Sequence, residues 1–80
     1  MERNEYLISQ ARSNAGPQIH LVNNWIAAYV FACEDPFNDS ELQGQAEALV
    51  QFVAGLDKTP TRTMLMTYAD KVLNSQSVTI

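Results

Sequence analysis

From Trp25 to Cys33 every position is apolar, apart from the Tyr29 hydroxyl. Ile19, Val22, Ile26, Tyr29 and Cys33 carry the pattern through this stretch at spacings of three and four, the period of one helix face. Leu21, Trp25, Ala28 and Ala32 form a second apolar stripe beside it, flanked on the other side by Val30. The remaining face holds His20, Asn23, Asn24, Ala27, Phe31 and Glu34. Length and the three alanines favour helix over strand. Pro17 suits a first helical position, where its missing N–H costs nothing. The pattern predicts a helix over 17–34 that the rest of the chain covers.

The other segments are shorter or more amphipathic. Tyr6, Leu7, Ile8 and Ala11 give an apolar patch to a helix over 2–13, with Glu2 and Glu5 at the dipole's positive end and Arg12 at its negative end. Ser13-Asn14-Ala15-Gly16 breaks it. Asp35 stands before Pro36 and is pushed out of the helical region, so the second helix ends there. Asn38 is a good N-cap with Glu41 in the capping-box position, and Phe37 and Leu42 can staple across it. A helix over 39–54 follows, with Leu42, Ala46, Leu49, Val53 and Leu56 inward and Val50 and Phe52 widening the stripe. Gln43, Glu47 and Gln51 lie opposite, and Gln45 sits at the rim. Gly44 marks either a tolerant surface site or a close helix approach, and Gly55 offers a left-handed stop. Thr59 as cap and Pro60 as first residue open a helix over 60–74, with Leu65, Tyr68, Ala69 and Val72 inward and Met64 and Leu73 at the edges. The tail over 75–80 is expected to fray.

These elements predict an all-α fold, a small four-helix bundle in a single domain over 1–80, with short connections between antiparallel neighbours. An 80-residue chain buries only about 60–65% of its unfolded surface, so a homodimer packed through the second helix is one way to complete the core.

Charge narrows the function classes. The net charge of −4 disfavours a general nucleic-acid binder, which needs clustered basic residues. The apolar stretch from Trp25 to Cys33 falls far short of the ~20 residues that span a bilayer. Glu2-Arg3-Asn4-Glu5 does not read as a basic-then-apolar leader, and a cytoplasmic location is expected, in the host cell if the chain is a phage or mobile-element accessory protein.

Candidate chemistry is sparse. One histidine and one cysteine, on different faces of one helix, give neither a metal-ligand cluster nor a nucleophile–base pair. Cys33 reads as a small buried hydrophobe. The acidic loop does not match a calcium-binding loop, and there is no glycine-rich phosphate loop. No catalytic residue, cofactor site or metal site is therefore assigned. What remains is a surface. Glu34, Asp35, Phe37, Asp39 and Glu41 form an acidic, apolar-tipped stretch, and His20, Asn24 and Phe31 share the third stripe of the second helix. Phe31 on that stripe is core, dimer contact or partner surface. The leading expectation is a non-enzymatic protein-binding module that regulates or inhibits a larger protein with a basic surface. The alternative is a helix-turn-helix-like DNA-binding regulator using 45–74, where Thr61, Arg62, Thr63 and Thr67 would be presented.

Overall fold

Asn4 starts the first helix. Its backbone is extended, and its side-chain Oδ1 accepts a hydrogen bond from the Leu7 N–H at 3.0 Å. Helix α1 then runs Glu5–Asn14 and buries Ile8 and Ala11. It begins later than the expected residue 2 because the asparagine amide takes up one of the free first-turn N–H groups. A computed structural model describes residues 3–34 and 40–77, with side chains described to residue 74.

Gly16 turns the chain. It holds φ +56, and a Cβ placed on it would lie 2.6 Å from Thr59 Cγ2. Both the left-handed backbone and the close approach of the α3–α4 connection require glycine here. Gly16–Gln18 form one 3₁₀ turn containing Pro17, and α2 follows as Ile19–Cys33. Proline thus serves the tight turn that precedes the expected helix.

Helix α3 is described from Ser40 to Ala54 and α4 spans Arg62–Ser77. The four helices pack against one another as a small all-α bundle, with no strand among the described residues. The molecule measures 33 × 30 × 18 Å, and the short dimension is about two helix diameters.

The core draws on every helix. Val22, Trp25, Ile26, Tyr29, Ala32 and Cys33 come from α2, Ala46, Leu49, Val50 and Val53 from α3, and Leu65 and Ala69 from α4. Phe52 and Tyr68 stack face to face at 3.9 Å between α3 and α4. The hub is α3, which packs on α1, α2 and α4, whereas α2 packs on α1, α3 and the 3₁₀ turn. This corrects the expectation that the most apolar helix is the central one. Ala27, Ala28 and Phe31 of α2 face outward, so part of its apolar character is spent on surface.

Three further boundaries differ from the sequence reading. Gly55 does not adopt positive φ. Its N–H makes an ordinary bond to Gln51 O, and the Asn14 side chain caps the end of α3 instead. Helix α4 is capped by Thr61, whose Oγ1 accepts from the Met64 N–H at 3.1 Å, rather than by Thr59. Thr59 is committed to the approach over Gly16, and buried Pro60 precedes the cap. Helix α4 also continues past Asn74 to Ser77, since nothing in Ser75-Gln76-Ser77 stops it. The Asp35-Pro36 stop, the Asn38 cap, the Phe37 staple and the Asp39 start lie outside the described residues, as do Val78 and Ile80.

Candidate surface on the second helix

The geometry of α2 separates cleanly into two arcs. Val22, Trp25, Ile26, Tyr29, Ala32 and Cys33 are buried, and His20, Asn23, Asn24, Ala27, Ala28 and Phe31 are exposed. The stripe of His20, Asn24, Ala27 and Phe31 is therefore outside, and Phe31 is 67% exposed. This removes core packing from the three readings of Phe31. It is a large apolar side chain at the outward end of a helix with no Asp, Glu, Lys or Arg between Ile19 and Cys33.

At that end lies Glu34, exposed, with its backbone N–H bonded to the Val30 and Phe31 carbonyls. Arg3 reaches it at 3.3 Å and also binds Glu5 Oε1 at 2.7 Å. The acidic cluster thus carries a cation of its own. The sequence reading missed Arg3 because the two ends of the contact are far apart in the chain. Both pairs are solvent-exposed and worth only about 0–1 kcal/mol. Glu41 is exposed at the start of α3. Asp35, Phe37 and Asp39, the other members of the expected surface, lie outside the described residues.

Asn14, which sequence reasoning placed in a loop, and Gln43, which it placed facing water, instead tie helices together, and a core phenol does the same. Gln43, half-buried, donates from Nε2 to the Ala32 carbonyl at 3.2 Å, which satisfies part of the C-terminal turn of α2. Asn14 donates its side-chain amide to Val53 O at 3.0 Å, Ala54 O at 2.9 Å and Leu56 O at 3.0 Å. Two N–H groups serve three carbonyls, so one hydrogen is shared. Buried Tyr29 accepts from the Asn4 N–H at 2.9 Å and hydrogen-bonds Cys33. Removal from water pushes the Tyr29 phenol above its ordinary value of 10.0, against the lowering effect of the Asn4 bond.

Other places offer less. A cleft of about 290 Å³ opens between the end of α1 and the α3–α4 connection, lined by Ser13, Asn14, Gly16, Leu56, Asp57, Lys58 and Thr59. Its one amide is occupied in capping α3, and its charges are a single Asp and a single Lys. No group of three His, Cys, Asp or Glu residues able to hold a metal ion exists among the described residues. His20 is exposed while Cys33 is buried, so the two do not meet. On α4, exposed Arg62 and Lys71 share the outer surface with Asp70, and Met66 and Leu73 are 41% and 49% exposed. That mixture is not the basic stripe a duplex would require. No helix among the described residues is long and apolar enough to cross a membrane. No known family, curated protein or solved structure matches the chain.

Proposed function

We propose that this protein is a non-enzymatic binding module that regulates or inhibits a larger protein through the outer face of α2 and the acidic edge beside it. The observation that carries the reading is Phe31, two-thirds exposed on an otherwise uncharged helix face and one turn from Glu34. A large apolar side chain left in water, ringed by small and amide side chains, is the composition of an interface anchor and its rim. The partner that fits has an apolar socket for Phe31 and basic residues opposite Glu34 and Glu41, with Asp35 and Asp39 adding to the same field by sequence. Those charges act mainly on the rate of encounter.

The test is paired capture. Immobilised native chain is compared with Phe31→Ser and with the double reversal Glu34→Lys/Glu41→Lys, all three checked for unchanged helicity. A specific partner is expected to lose at least ~10-fold in affinity with Phe31→Ser, mostly through faster dissociation. The double reversal is expected to slow association and flatten its salt dependence. A partner whose binding ignores both changes would overturn the proposal.

A further inference from the structure

We draw no further inference here: the strongest candidate, the apolar edge that Met66 and Leu73 leave partly exposed on α4, away from the surface already described, carries none because nothing in the structure shows what covers it.

Discussion

Tyr29 shows how much one polar atom in the core can organise. It is 2% exposed, yet its hydroxyl is not stranded, because the Asn4 N–H points at it from the residue that also caps α1. One phenol therefore fixes the start of α1 to the middle of α2. The phenol is held above its ordinary value by desolvation, with Cys33 and the charge of Glu47 adding to the rise. An acid whose folded pKa is raised binds its proton more tightly in the native state. The stability it contributes is present below pH 10 and falls as pH rises towards and through the folded value. Denaturant melts of the native chain and Tyr29→Phe should therefore converge above pH 10. At neutral pH the variant should be less stable by about 1 kcal/mol for the lost hydrogen bond. Parallel pH profiles for the two proteins would count against this account. None of this was legible from sequence, where Tyr29 reads only as one more member of an apolar stripe. The partner that satisfies it is remote in the chain, and period carries no information about remote partners.

At the scale of elements, period found all four helices and caps decided where they begin and end. Val22, Ile26, Tyr29, Cys33 and Ala46, Leu49, Val53 are buried as their spacing predicts, with Ile19 half-buried at the start of its stripe. The ends were less legible, because a cap depends on which side chain arrives. Thr59 and Thr61 flank the same proline, and only the second has its hydroxyl on the first-turn N–H. Gly55 looks like the stop of α3, yet the carbonyls at that end are taken by Asn14 from another helix. A residue that reads as a loop former is thus the tie between α1 and α3. Asn14→Ala should cost about 1–2 kcal/mol by leaving those carbonyls to water. Asn14→Asp should cost more, since a carboxylate cannot donate and would face three carbonyl oxygens. Chemical denaturation of the two variants distinguishes capping from mere bulk: equal losses would mean that the amide donors contribute little.

For the whole molecule, the order of packing differs from the order of hydrophobicity, and that difference sets what can move independently. Hydropathy ranks α2 first. The assembly is built on α3, because an apolar run says how much surface a helix can bury, not which neighbours reach it. The outer arc of α2 could not be assigned from sequence for the same reason: the Phe31 stripe reads as core, dimer contact or partner surface until its neighbours are known. Helix α4 docks principally on α3, through Leu65, Ala69 and the Phe52–Tyr68 stack, and leaves Met66 and Leu73 partly in water. Few buried contacts mean a low free energy of local opening. Amides of α4 should exchange with solvent before those of α1, α2 and α3. Leu65 is fully buried, and Leu65→Ala should remove about 2–5 kcal/mol from the docking of α4. Trp25, the single tryptophan, lies on α2, which packs on α1 and α3. The variant should therefore lose the far-ultraviolet helical signal of 62–77 while Trp25 emission stays native. If emission and helicity instead fall together at every denaturant concentration, α4 is part of one cooperative unit. Its partly exposed apolar edge would then belong to the stable surface of the bundle.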